Sequence, residues 1–269
     1  MGGLPRSGGT LLSAILNQNP SIYAGGQTDL IDLMVLLNFD VKQLESYKTK
    51  VREKGFENAK NQFAHNFYAD IEKPIIIERN RGWGGVNGIH IAKTLNQTPK
   101  IIVPIRSILD ILASFVTLAN KYPNTNYIDN GISNADFPSK FYRPLDDVRC
   151  DYLMRPTGSL DCEIMHLYNL TKPEYKGIFH IVKYNDLITS PEETVTSIYK
   201  FLEIESYSHD LSNITKSYQE DEMATTGIPS MHQIRNTIDK SKTDYTKILS
   251  PYVINKYANA LDFLDLGHL

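Results

Sequence analysis

Apolar residues recur along this chain in two alternating rhythms. Leu11, Leu12, Ala14, Ile15 and Leu16 fall on helical spacing, which starts a helix near Thr10. Residues 21–24 (SIYA) read as a short strand closed by Gly25-Gly26, and the apolar positions from Asp29 to Leu37 return to helical period behind Thr28 as N-cap. Residues 41–69 carry mixed charge with apolar spacing and predict two helices around Gly55. Pro74 to Ile77 is a buried-type strand, followed by a helix over Gly88 to Leu95. Lys100 to Arg106 (KIIVPIR) is a strand that Pro104 should end or confine to an edge, and Ser107 to Ala119 is a helix. Residues 122–160 break the rhythm: Pro, Asn, Gly, Tyr and Asp dominate, predicting a long loop region with one short helix. A helix over Ser159 to Leu170, a strand over Ile178 to Val182, a helix over Pro191 to Leu202 and a final helix over Tyr245 to Phe263 complete the reading. Strands alternating with helices imply an α/β fold of three layers, a mainly parallel sheet flanked by helices.

The glycine-rich stretch before the first helix carries the first chemistry. Gly2 to Asn19 reads GGLPRSGGTLLSAILNQN, a turn of small residues opening a helix. Such a turn presents unpaired backbone N–H groups and the positive end of the helix dipole, an anion site suited to phosphate. Against the nucleotide-phosphate template G-x-x-x-x-G-K-[ST], Gly3, Gly8 and Thr10 fit, but Gly9 holds the lysine position and the cation has moved to Arg6. No apolar strand ends directly in a metal-binding aspartate. The loop therefore reads as an anion site built from arginine and backbone, with no metal expected. Only about three residues precede it, so the strand that feeds it is very short or the chain is trimmed.

Composition narrows the class. With 269 residues, 41% hydrophobic and 22% charged, the chain is long enough to bury a full core as a single domain, 1–269. A net charge of −3 gives no general basic footprint for nucleic acid. No apolar run reaches the length of a membrane span, and no secretory signal is visible, so a cytoplasmic location is the default. The two cysteines, Cys150 and Cys162, read as unpaired thiols, although pairing stays open. Oligomeric state is not legible.

The second anchor is Val103 to Phe115 (VPIRSILDILASF). Arg106 sits where strand gives way to helix, the edge at which open α/β sheets bind ligands. Ser114, about two turns on, shares a helix face with Ser107 and Asp110. An arginine with a hydroxyl suits a phosphate.

Pro5, Arg6, Ser7, Gly8, Gly9, Thr10, Leu11 and Leu12 resemble the P-R-S-G-T-T loop of sulfotransferases that use PAPS, with Gly9 in place of a threonine. The Arg106, Asp110, Ser114 spacing resembles the family's R-x-P-x-D-x-x-x-S motif, with Ile108 in place of its proline. Residues 181–204 look like the family's late strand and helix, and Gly227 to Arg235 resembles a late H-x-[IV]-R segment of bacterial and phage-type members. The resemblance implies a P-loop NTPase-like sulfotransferase fold and transfer of a sulfuryl group from PAPS to a hydroxyl or amine, with release of PAP. It assigns the 5′-phosphosulfate to Arg6, Ser7, Gly8, Gly9, Thr10 and Leu11, the 3′-phosphate to Arg106 and Ser114, and nucleotide contacts to Tyr184 and Arg235. Arg81 is the candidate for the transferring oxygens, with Arg79 as its rival, and Trp83 flanks the adenine or acceptor or else fills the core. The general base has no motif. Gln27 stands where tyrosine-sulfating members carry a glutamate, and Gly82 and Trp83 stand where small-molecule members carry a histidine. Asp29 is the nearest carboxylate and the first candidate, His232 the second. The resemblance does not cover residues 122–170, and the acceptor, a small molecule, glycan or peptide, is expected to be gripped partly by residues 122–160. Two other readings stay open: a small-molecule kinase with a degenerate loop, and a PAPS- or PAP-binding protein without catalysis.

Overall fold

A computed structural model of the chain describes residues 1–135, 142–229, 231–241 and 243–265. Four short strands form two parallel pairs. In one, β1 (Ile22–Tyr23) lies beside β2 (Ile75–Ile76) with Ile22 opposite Ile75. In the other, β3 (Ile101–Ile105) lies beside β4 (Phe179–Lys183), Ile101 opposite Phe179 through to Ile105 opposite Lys183. The first four residues run between the pairs. Gly2 and Leu4 donate to the carbonyls of Ile102 and Pro104 at 2.9 and 3.1 Å, and the Met1 carbonyl accepts from Asn80 at 3.1 Å. Across the sheet the order is therefore β1, β2, residues 1–4, β3, β4.

Alternation along β3 explains the layers. Ile101, Val103 and Ile105 face one apolar cluster with Ile111, Leu112 and Phe115 of helix Ile108–Lys121. Ile102 faces the other, with Leu12, Ile15 and Leu16 of helix α1 (Gly9–Leu16) and with Val195 and Ile198 of helix Pro191–Leu202. A period of two in a strand puts neighbours on opposite faces, so this buried strand is covered on both sides.

Pro104 does not end the strand or lie at an edge. Its carbonyl accepts from Leu4, on the side lined by residues 1–4, while β4 pairs along the full register on the other. Gly3 makes this approach possible. It has φ +105°, and a Cβ there would lie 2.4 Å from the Pro104 carbonyl oxygen.

Three other expectations need correction. Helix Glu53–Phe67 runs straight through Gly55, preceded by a short helical turn at Glu45–Lys48. A solvent-facing glycine costs a helix only about 1 kcal/mol. The tail is broken into a turn at Tyr245–Lys247, a helix at Pro251–Tyr257 that Pro251 starts, and a turn at Asp262–Leu264.

The largest correction concerns residues 122–160. They hold two helices, Tyr127–Asn134 and Leu145–Leu153, while residues 136–141 lie outside the described residues. Their polar composition serves a network around one buried arginine. Arg149, 1% exposed, donates to both oxygens of Asp129 at 2.7 and 2.6 Å and to Asp146 at 2.8 Å, and it also bonds Asn120. The network fastens both helices to the end of helix Ile108–Lys121. Cys150 and Cys162 are free thiols.

Candidate active site

The phosphate-type loop turns through two left-handed residues, Arg6 at φ +58° and Gly8 at φ +89°. Gly8 is required twice over, because a Cβ there would also lie 2.8 Å from the Tyr184 ring. Helix α1 then opens at Gly9, so the amides of Gly9, Thr10 and Leu11 have no acceptor within the helix. The Ser7 hydroxyl points away from this end. It is buried and donates to the carbonyls of Leu4 and Pro104, the latter at 3.0 Å, tying the loop to β3.

These residues line one wall of a cavity of about 460 Å³. Five arginines reach it: Arg6, Arg79, Arg81, Arg106 and Arg235. Arg6 donates to the Ser114 hydroxyl at 3.1 Å and to the Met231 carbonyl. Arg106 donates to the Arg6 carbonyl at 3.3 Å, stacks 4.4 Å over the Tyr184 ring, lies 3.6 Å from Asp110 and reaches the Thr243 hydroxyl at 3.4 Å. Burial, with Arg106 beside it, holds Arg6 below the usual arginine range. An anion placed between the two guanidiniums relieves both penalties. Arg6, Arg106 and Tyr184 thus meet on the cavity wall, and Ser114, which is not on that wall, is bonded to Arg6 rather than to Arg106.

Of the two strand-end arginines, Arg79 is the one on the loop. It donates to Thr10 Oγ1 and to the Tyr218 hydroxyl, both at 3.0 Å, and lies over Gly9, where a Cβ would be 3.5 Å from its Nε. The arginine covers the space that a side chain at residue 9 would enter. Arg81 lines the opposite side, 3.9 Å from Glu163. Near it the half-buried Tyr127 has its phenol pushed up to about 12 by desolvation, with Arg81 and a hydrogen bond to Ser159 opposing. Arg235 is largely exposed and pairs with Asp239. Trp83 is 7% exposed within the apolar core and donates to Glu78.

Asp29, the first candidate for the base, is not on the cavity wall. It is an exposed residue at the N-cap of helix α2 (Leu30–Asn38), where its carbonyl accepts from Leu33 at 3.0 Å. A carboxylate at that position favours the helix dipole. The second candidate, His232, does line the cavity. Its Nδ1 lies 3.1 Å from Glu220 and 3.3 Å from Glu222. Burial pulls its imidazolium below the usual range, with Glu220 and Glu222 opposing and Arg79 and Arg6 reinforcing. Burial thus favours the neutral ring, the form a proton acceptor needs.

Residues that sequence reading missed sit on an extended strap, residues 214–222. Burial alternates along it: Lys216, Tyr218, Glu220 and Glu222 turn inward, while Thr215, Ser217, Gln219 and Asp221 are exposed. Ile214 donates to the Asn236 carbonyl at 2.7 Å, bracing the strap against the segment that carries His232. The K-x-Y-x-E-x-E alternation was the available signal. Glu220, Glu222 and His232 also form a group of metal-ligand type, but the Lys216 ammonium lies 3.3 and 3.7 Å from the two carboxylates.

A parallel α/β sheet between helical layers carries an arginine-rich cavity at the carboxyl ends of its strands, the edge at which open α/β sheets bind ligands. The sulfotransferase domain family model matches residues 1–263, and the chain belongs to that family of transferases. Two solved structures share its α/β fold. The sulfotransferase domain from the curacin biosynthetic pathway is 17% identical, covering 98% of each chain with a TM-score of 0.60. The sulfotransferase domain from the Synechococcus PCC 7002 olefin synthase is 16% identical, covering 99% of this chain and 94% of the other with a TM-score of 0.58. No curated protein matches the chain at a significant level. Among the described residues no helix is long and apolar enough to cross a membrane.

Proposed function

We propose that this chain, acting as one domain, transfers the sulfuryl group of PAPS to an acceptor hydroxyl and releases PAP. The observation that carries the reading is the pairing of Arg6 and Arg106 around the loop, with Ser114 bonded to Arg6. PAPS carries two anionic ends, and this cavity offers cations for both. In this reading the amides of Gly9, Thr10 and Leu11 with Arg6 hold the 5′-phosphate. Arg106 and Ser114 hold the 3′-phosphate, and Tyr184 and Arg235 border the nucleotide. Arg79, which contacts the loop through Thr10, stabilises charge on the leaving and transferring oxygens, and Arg81 faces the acceptor. Preorganised donors of this kind act where charge develops in the transition state.

His232 replaces Asp29 as the proton acceptor. The acceptor oxygen attacks sulfur as its proton passes to His232. The bond from sulfur to the 5′-phosphate oxygen breaks, and the electron pair leaves with PAP. The acceptor we favour is a small biosynthetic intermediate bearing a hydroxyl, because both structural neighbours are named for biosynthetic enzymes.

Calorimetry with PAP, adenosine 5′-phosphosulfate and ADP tests the donor. PAP should bind tightest, and ADP binding as tightly as PAP would overturn the reading. Radiolabelled PAPS incubated with a panel of phenols, alkanols and amines then tests transfer.

A further inference from the structure

The strap places its charges around His232 in an order that the reaction can use. The His232 backbone N–H donates to Glu222 Oε1 at 2.8 Å, so Glu222, itself 7% exposed, anchors the main chain of the segment. Glu220 has no such backbone duty; its carboxylate and that of Glu222 lie 3.1 and 3.3 Å from the buried Nδ1, and neither is in hydrogen-bond geometry with it. Gly26 leaves room for Glu220, since a Cβ at that glycine would lie 2.6 Å from Glu220 Oε1. Lys216 lies 3.3 Å from the same Glu220 oxygen that faces Nδ1. Its stem crosses the Tyr218 ring, with the ammonium 4.8 Å from the ring centre. The Tyr218 hydroxyl in turn accepts from Arg79, which is on the phosphate loop. The groups facing His232 are thus Glu220, Glu222 and Lys216 from the strap and its end, and Arg79 and Arg6 from the loop side.

We propose that Glu220 is a positioning residue for His232, and that Lys216 is its counterweight. At 3.1 Å a small turn of the ring lets Glu220 accept the proton on Nδ1, which leaves the lone pair on Nε2 to receive the acceptor's proton. A carboxylate at one ring nitrogen fixes the tautomer and raises the basicity of the other. Lys216 shares that carboxylate and limits the effect, so the ring stays neutral before the acceptor arrives. The proposal rests on the reading of His232 as the base, but its first test needs neither PAPS nor an acceptor.

Protein labelled on the histidine rings is titrated by NMR without nucleotide and with PAP, and the His232 signals are assigned by their loss in His232→Gln. The neutral ring should carry its proton on Nδ1. In Glu220→Gln the amide oxygen still accepts from Nδ1, so the tautomer persists. Losing the negative charge should lower the ring's pKa by about one unit. Lys216→Met removes a positive charge and should move it upward, the opposite sign. The acidic limb of the rate should follow the same two shifts, and Glu220→Gln should lower kcat with little change in the affinity for PAP. A proton on Nε2 in the wild type, or a pKa unmoved in both variants, would overturn the proposal. If Glu220→Gln fails to fold, the upward shift in Lys216→Met still decides it. Failure of the donor reading looks different: PAP does not bind, while the ring titrations keep their signs.

Discussion

The two walls of the cavity are built by different means. The loop wall is made of neighbours in sequence. Residues 4–10 form one turn, held to β3 by the buried Ser7 hydroxyl, and its anion-facing groups are mostly backbone. The other wall is the segment 231–239, and it and the strap behind it meet the loop side only through the fold. Tyr218 reaches Arg79, Glu220 approaches His232, and the backbone carbonyl of Met231 receives Arg6 from 225 residues away. Backbone donors are indifferent to most substitutions, whereas a side-chain wall can be rewritten residue by residue. The difference matches what each wall handles in the proposed reaction: a donor that stays the same, and an acceptor that varies.

The sharpest way to break this contrast is through the loop's geometry. Gly3→Val puts a branched side chain at φ +105° against the Pro104 carbonyl. It should destabilise the protein by about 3 kcal/mol or more in chemical denaturation, in the range of strained backbone and overpacking together. Arg149→Met, at a residue that does not line the cavity, should cost about 3 kcal/mol, because it strips the half-buried Asp129 of its ion-pair partner. In the fraction that stays folded, PAP affinity should be unchanged. Arg6→Ala should then weaken PAP by about 10- to 100-fold, the value of a lost charged hydrogen bond. Arg106→Ala should weaken PAP about tenfold more than adenosine 5′-phosphosulfate, which lacks the 3′-phosphate. Equal losses in calorimetry would remove Arg106 from that site. At the small end, Arg235→Ala should change PAP affinity by less than about threefold, since its ion pair is exposed and screened. Asp29→Asn should leave turnover as it was.

The sequence carried the loop wall almost whole. Gly8, Arg6 and Thr10 lie within five residues, and local chemistry alone marks them as an anion site. It carried the sheet's connectivity too, because period-two and period-3.6 patterns are local. It did not carry the order of the strands around Pro104. That depends on which side of β3 lacks a donor, and only the packing of residues 1–4 decides this. Residues 122–160 misled because Arg149 looks like solvent-facing charge when read singly, and is buried only through its pairing with Asp129 and Asp146. Asp29 misled because proximity in sequence stood in for proximity in space. The strap's alternation was visible in residues 214–222, but a polar strand has no apolar face to announce it.

The position of residues 1–4 has a consequence for how the protein is made. They occupy the middle of the sheet, yet their partners are Ile102 and Pro104, about a hundred residues on, and β3 itself waits for β4 at 179–183. Until those strands are synthesised, the opening segment has nothing to pair with on that side. Contacts between such distant segments close late and slowly, so folding should be governed by topology rather than by the fast local helices. A refolding trace should show helical signal well before the anion cavity acquires affinity for PAP. The loop that is easiest to read in the sequence would then be among the last parts of the molecule to assume its shape.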